Sequence, residues 1–230
     1  MGPIFAVLIN TLVIFIAGLL GAGLGHNFPK KYQEVIMKFL PLTIIVLGIG
    51  SALKGDTIVV IISIVLGVII GEKLDLEGKL QAFADLLKKK FVKDSGTDFS
   101  TGFISGTLLF CVGSVGILGA IDAGVRGDYE LLYTKTILDG ISALFLATTL
   151  GRGMAFSAVS VLAYEGAIVL LATVLAPILS PEILENISGV GGITILAIGL
   201  NMLDLVEYKL ANALPAIVIP VIIGLLGGLI

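Results

Sequence analysis

The sequence predicts an all-α fold, a polytopic membrane bundle of about eight transmembrane helices with one amphipathic surface helix. Three observations predict it. Of 230 residues, 57% are hydrophobic and only 13% charged, with mean hydropathy +1.12; a soluble domain carries about 25% charged residues. The apolar residues gather into long runs, near the roughly 20 needed to cross a ~30 Å hydrocarbon core. No ten-residue alternation of polar and apolar positions appears, which argues against a β-barrel. The 30 glycines suit helices whose backbones approach closely. The length fills one bundle, so residues 1–230 read as a single transmembrane domain.

The first run, Pro3 to Gly25, has neither a basic leading segment nor a small-residue cleavage site, so it is expected to be a retained span. Further spans are expected from Val35 to Leu53 and from Thr57 to Gly71. The connector 72–98 is the only long polar stretch. In it Leu76, Leu80, Phe83, Leu87 and Phe91 recur at helical spacing among lysines and acids, which predicts an amphipathic helix on the inner membrane surface. Central spans follow at Phe99 to Ala120 and Tyr129 to Gly151, then one from Gly153 to Leu179 after a tight turn at Gly151-Arg152-Gly153. The last two are Gly189 to Leu205 and Pro215 to Ile230. With the amino terminus outside, only Lys54, Arg126 and the embedded Lys135 of the 14 basic residues avoid the inner side. The positive-inside rule therefore places both termini outside.

The second and third spans echo the seventh and eighth. "TIIVLGI" (43–49) resembles "TILAIGL" (194–200), and "VVIISIVLGVIIG" (59–71) resembles "AIVIPVIIGLLGG" (216–228). Gly48 falls on Gly199, and Gly67 and Gly71 on Gly224 and Gly228. Copies five spans apart enter the membrane from opposite sides, the inverted-topology repeat many secondary transporters use, with halves at 1–71 and 154–230. Chance is the alternative, because apolar helices share a small alphabet.

A charge at the bilayer centre costs at least ~2.5–3.5 kcal/mol, so each needs a partner or a wet cavity. Asp139 lies ten residues into its span, ~15 Å deep, and Glu165 twelve residues into the next, ~18 Å deep. The tight turn between those spans predicts neighbouring helices with acids at similar depth. Lys135 is one turn from Asp139 and can pair with it at i, i+4. A purely structural ion pair accounts for these two and leaves Glu165 unpaired. A carboxyl free to exchange a proton or hold a cation is what a coupled transporter needs. Asp122 ends a helix, where an acid is unfavourable unless Arg126, Lys135 or a bound cation joins it. Asp128 reads as an N-cap, with Glu130 complementing the dipole. Asn10 and Asn201 need hydrogen-bond partners wherever they are buried, and could line a pathway or tie helices together. Ser114, Ser142, Thr148, Thr149 and Ser157 make the central spans hydroxylated, as helix packing in membranes also does. The candidate coupling or binding residues are thus Asp139, Glu165, Lys135, Asp122, Asn10 and Asn201.

Lone Cys111 and lone His26 exclude an internal disulfide and paired-histidine or cysteine-rich metal sites, and no phosphate-cradling glycine loop ends in Lys-Ser/Thr. No metal, cofactor, ATP engine or nucleic-acid partner is expected, nor an enzymatic nucleophile–base set.

The segment "FCVGSVGILGAIDAGVRGDYELLYTKTILDGISALFLATTLGRGMAFSA" (110–158), with "AGLLGAGLG" (17–25) and "ANALPAI" (211–217), resembles the prokaryotic membrane proteins grouped as domain of unknown function 554. The resemblance covers essentially the whole chain and rests on Gly113, Gly119, Gly124, Lys135, Asp139, Gly151 and Ser157. The pattern carries glutamine where this chain has Glu165. The resemblance implies a prokaryotic inner-membrane protein and supplies no activity. The residues favour a secondary transporter of a small solute or cation, driven by protons or sodium. An oligomeric channel and a non-catalytic scaffold or signalling partner are the alternatives. Expected partners are the lipid bilayer, the solute or cation, and a second copy of the chain through glycine-rich helix faces.

Overall fold

The computed structural model describes residues 2–27, 30–91, 99–111 and 114–227. These form helices and turns, with no strand among the described residues. In chain order they are α1 (Pro3–Asn27), α2 (Lys30–Ala52), α3 (Thr57–Leu74), α4 (Leu76–Phe91), α5 (Phe99–Cys111) and α6 (Ser114–Val125). Then come α7 (Glu130–Leu150), the short α8 (Arg152–Phe156), α9 (Ala158–Leu175) and α10 (Pro181–Met202). A 3-10 segment (Leu210–Ile217) leads into α11 (Ile219–Gly227).

Among the described residues, five stretches are long and apolar enough to cross a membrane: Pro3–Gly25, Thr57–Leu74, Glu130–Leu150, Arg152–Leu175 and Pro181–Met202. The α5–α6 pair makes a sixth if taken as one span bent by 58°. The chain is a helical membrane bundle, and three of the eight expected spans take other forms. The second keeps only Pro41–Ala52 as apolar helix, because Lys30, Lys31 and Lys38 occupy the first half of α2. The fourth, expected as one helix, is the bent pair, whose junction at 112–113 lies outside the described residues together with Gly113. The eighth is the 3-10 segment followed by α11, because Pro215 has no N–H for an α-helical ladder. The seventh begins earlier than expected. Ser180 accepts from Ile183 N at 3.3 Å and Pro181 sits at the helix start, an ordinary N-terminal signal inside the polar "SPEILENI" stretch. Gly228 and Lys93 lie outside the described residues.

Close backbone packing holds the bundle together. α1 lies along α7, where a Cβ at Gly21 would strike the Leu144 carbonyl and one at Gly25 the Thr148 backbone. α2 and α10 run antiparallel. A Cβ at Gly48 would fall on the Leu196 amide and 2.9 Å from the Gly192 carbonyl oxygen; one at Gly199 would fall on Ile45 and 3.0 Å from the Pro41 carbonyl oxygen. Gly67 and Gly71 of α3 pack on Ala216 and Asn212 of the 3-10 segment, so these glycine faces are taken up within the chain. α10 is the most enclosed span, 72% buried over its most apolar window, against 22% for α3.

α4 is amphipathic, as its spacing predicts, and its stripe packs on protein. Ala84 is fully buried, Phe83 meets Phe103 edge-on at 5.9 Å, and Leu80 and Leu87 join the main core. Ser100 Oγ donates to Asp85 Oδ1 at 3.0 Å, tying α5 to α4. The Phe91 side chain and residues 92–98 fall outside the described residues. A polar clamp fixes the α3–α4 corner to the 3-10 segment. Lys209 Nζ lies 2.6 Å from Glu72 Oε1, Asn212 Nδ2 donates to Glu72 Oε2, and Asn212 Oδ1 accepts from Glu77 N at 2.8 Å. Ala211 N donates to Glu77 Oε2 at 2.7 Å.

Candidate functional site

Four side chains from three helices converge in the interior. α7 carries Lys135 and Asp139 one turn apart, so both project from one face of the helix. α1 brings Asn10 and α9 brings Glu165. Asn10 and Glu165 are fully buried, while Lys135 and Asp139 are 7% and 8% exposed. α7 and α9 are not joined as simple neighbours: each packs along α1 and along α6, and the long acidic and basic side chains reach across. α6 gives them room at Gly116, where a Cβ would lie 3.0 Å from Lys135 Cε and 3.5 Å from Glu165 Oε1.

The Lys135 ammonium pairs with Asp139 Oδ2 and lies 3.1 Å from Glu165 Oε1. Glu165, expected to be left over from an internal Lys135–Asp139 pair, therefore shares the same lysine. Asn10 Nδ2 donates to Asp139 Oδ2 at 3.3 Å and to Glu165 at 3.3 Å (Oε1) and 3.1 Å (Oε2). Two carboxyl groups thus share one ammonium. The Asn10 Oδ1 atom is buried and has no hydrogen-bond partner.

Lys135 and Asp139 form part of the wall of a cavity of about 190 Å³. Its other lining includes Ser51 and the exposed Lys54 at the α2–α3 turn, Val115 and Gly116 in the first turn of α6, and Ser188, Gly191 and Gly192 on α10. Leu109, Phe110, Leu138 and Ile195 supply apolar wall. One side of the carboxylate cluster thus faces space that water or a small solute can fill, and the other side is sealed by α1 and α9.

Two candidates lie elsewhere. Asp122, at the far end of α6, pairs with Arg126 at 3.2 Å, the cation that an acid at a helix carboxyl end requires. Asn201 closes the turn after α10: its Nδ2 donates to Tyr208 O at 2.9 Å and its Oδ1 accepts from Tyr208 N at 3.0 Å. Asp128 Oδ1 accepts from Glu130 N at 3.0 Å at the start of α7. The hydroxyls turn mostly to local backbone: Thr148 to Phe145 O, Thr149 to Leu146 O, Ser157 to Met154 O. The Ser114 side chain is outside the described residues. Sequence reasoning missed Asn186 and Asn212. Asn186 Oδ1 accepts from Asp56 N at 2.7 Å, anchoring the α2–α3 turn to α10 beside the cavity. An asparagine within each apolar-flanked polar stretch, "SPEILENI" and "ANALPAI", was the available signal.

The chain belongs to the family described as "Protein of unknown function (DUF554)", which matches residues 5–225. It is 32% identical to the "Uncharacterized membrane protein YdfK" of Bacillus subtilis (strain 168), with 95% of both chains covered. It is 27% identical to the "Uncharacterized protein YqgA" of Escherichia coli (strain K12), with 92% of both covered. No solved structure matches.

Proposed function

We propose that this membrane protein is a secondary transporter of a small solute or ion, coupled to a proton or sodium gradient through Asp139 and Glu165. One observation carries the reading: Lys135 and Asp139, buried together with a second carboxyl, Glu165, form part of the wall of a cavity that the exposed Lys54 also lines. A structural ion pair has no use for the second acid, and burying an uncompensated charge costs several kcal/mol. A site that binds and releases a positive charge each cycle needs it.

Two further features support the reading. The first turn of α6, where the α5–α6 span is bent, lines the cavity, and broken helices at a midplane site recur in secondary transporters. The α2–α10 crossing is reciprocal. Advancing α2 by 151 residues lays Gly48 on Gly199, Ile45 on Leu196 and Pro41 on Gly192. Under that offset the contacts of Gly48 with Leu196 and Gly192 become those of Gly199 with Ile45 and Pro41, the two sets found. We read this as the trace of an inverted-topology repeat. From the family we place the protein in the prokaryotic cytoplasmic membrane, and from the lysine and arginine bias we place both termini outside.

Reconstitution in liposomes with a pH-sensitive or voltage-sensitive dye tests the proposal. Solute-dependent, saturable proton or sodium movement, abolished in Asp139→Asn and Glu165→Gln, is the expected result. Large non-saturating currents would instead make the protein a channel. Folded protein with no flux for any solute would turn the reading toward a scaffold.

A further inference from the structure

We infer that the cavity lined by Lys54 and Lys135 takes a small organic anion, a monocarboxylate with a short apolar body. The inference rests on the transporter reading and names the substrate class for it.

The wall is rich in donors. Its ionisable members are two ammonium groups, Lys54 and Lys135, and one carboxyl, Asp139. Glu165 is fully buried and is not part of the wall. Protonating Asp139 would only add a donor, so the surplus holds in either protonation state. Lys54 is exposed and has no acidic partner among the described residues. Its flexible four-carbon stem lets its ammonium follow a bound group. The Lys135 ammonium has three N–H donors. Asp139 and Glu165 occupy two of them, which leaves the third.

The hydroxyls are the independent observation. A helical serine or threonine commonly bonds back to the carbonyl one turn earlier. Thr136 does so to Leu132 O at 2.8 Å and Thr194 to Val190 O at 3.2 Å. Ser51 and Ser188 both line the cavity, and neither makes a hydrogen bond among the described residues. Ser188 is only 5% exposed, and buried polar groups are rarely left without a partner. What fills the cavity is the partner left to it. Packing brings these groups to one wall. A Cβ at Gly192 would lie 2.6 Å from Ala52 Cα, and one at Gly189 2.9 Å from Gly55 Cα, so α10 lies directly on the α2–α3 turn. Asn186 fixes that turn through Asp56 N.

The rest of the wall selects the ligand's kind and size. Val115 and Gly116 belong to the first turn of α6, where N–H groups lack intrahelical partners and favour a negative group. Leu109, Phe110, Leu138 and Ile195 are apolar and suit a hydrocarbon body, which a bare inorganic ion lacks. Since a cavity of about 150 Å³ holds benzene, the ~190 Å³ here suits roughly six to eight non-hydrogen atoms. A cation in the same place would face two ammonium groups.

Thermal unfolding of the purified protein in detergent, at fixed pH, sodium and ionic strength, tests this. The probes are propionate, butyrate and pyruvate, with neutral butyramide, butylammonium and zwitterionic valine as comparisons. At least one carboxylate should raise the midpoint saturably, roughly 3–6 °C at ten times its dissociation constant. Butyramide and butylammonium should not. Lys54→Gln, at an exposed turn where folding is not at risk, should weaken that carboxylate roughly tenfold, while Lys54→Arg should largely retain it. Ser188→Ala should weaken it as well. No shift with any of the three carboxylates would overturn the inference. So would an equal shift with butyramide, a larger one with butylammonium or valine, or an affinity unchanged in Lys54→Gln. The liposome assay separates this from the broader reading: proton or sodium movement driven by a solute that is not a carboxylate leaves transport standing and removes the anion from the site.

Discussion

Lys135 and Glu165 lie on different helices, α7 and α9, and meet 3.1 Å apart in the interior, with Asp139 on the same ammonium. One lysine therefore holds two acids. The charge count of this group sets what each substitution does.

Removing the lysine should be the most damaging change. Lys135→Met leaves two buried carboxylates without a cation, a loss of about 3–5 kcal/mol for breaking a buried pair. Glu165→Gln leaves a balanced Lys135–Asp139 pair and should fold at least as well as the native chain. Lys135→Met combined with Asp139→Asn should recover much of the loss. Unfolding midpoints with size-exclusion profiles of the four proteins check the order.

The reciprocal crossing of α2 and α10 makes a second prediction. Gly48→Ala and Gly199→Ala each insert a methyl group against opposing backbone, and each should cost about 1–3 kcal/mol. Because both force the same two helices apart, the double variant should cost less than the sum. Additive losses would show that the two glycines act on independent contacts.

The cavity should be reachable by water. In a Cys111→Ala background the chain has no other cysteine, so Ser51→Cys and Ser188→Cys can be probed singly with a membrane-impermeant maleimide. Both should be labelled from the face that carries Lys54. Ala172→Cys, in a sealed position on α9, should stay unlabelled in folded protein. Labelling of Ser188→Cys only after unfolding would mean that the cavity is closed to water.

The clamp at the α3–α4 corner predicts a pH effect. Burial holds Glu77 above the ordinary carboxyl value of 4.5, against the Ala211 amide and the Lys209 charge, which pull it down. The folded chain thus binds this proton more tightly than the unfolded chain. Its contribution to stability is complete below pH 4.5 and is lost as pH rises through the folded value. Glu77→Gln keeps an acceptor for Ala211 N and carries no charge. Its midpoint relative to the native protein should rise between pH 4 and pH 7, measured in the same detergent and salt.

Much of the site was legible in the sequence, because depth and helical spacing are one-dimensional quantities. Ten residues into a span is mid-membrane whatever the neighbours are, and i, i+4 puts Lys135 beside Asp139 before any tertiary contact is known. What the sequence did not reveal depends on how helices cross. Glu165 reaches Lys135 because α1 and α6 hold α7 and α9 at the right spacing, and Asn10 joins because α1 enters that gap. The bend between α5 and α6 was hidden in a run apolar enough to pass for one straight span. The 3-10 segment was half visible in Pro215, yet its length follows from packing against Gly67 and Gly71. Asn201 needs partners by its polarity alone, and only the turn at Tyr208 decides that those partners are backbone rather than a binding site.

The convergence of α1, α7 and α9 also bears on how the chain enters its membrane. Ribosomes deliver α1 first, more than a hundred residues ahead of its partners, and the residue it brings to the cluster, Asn10, is a neutral amide that hydrocarbon tolerates better than a charge. The lysine and first acid arrive together on α7, already able to neutralise each other within one helix. Only then does α9 emerge with Glu165, into a bundle that offers it an ammonium. Synthesis order thus lets the cluster's lysine and first acid enter as a pair before the second acid arrives. A chain split before α9 and expressed as two pieces should insert its first piece unaided, while the second should need the first in the membrane to be retained.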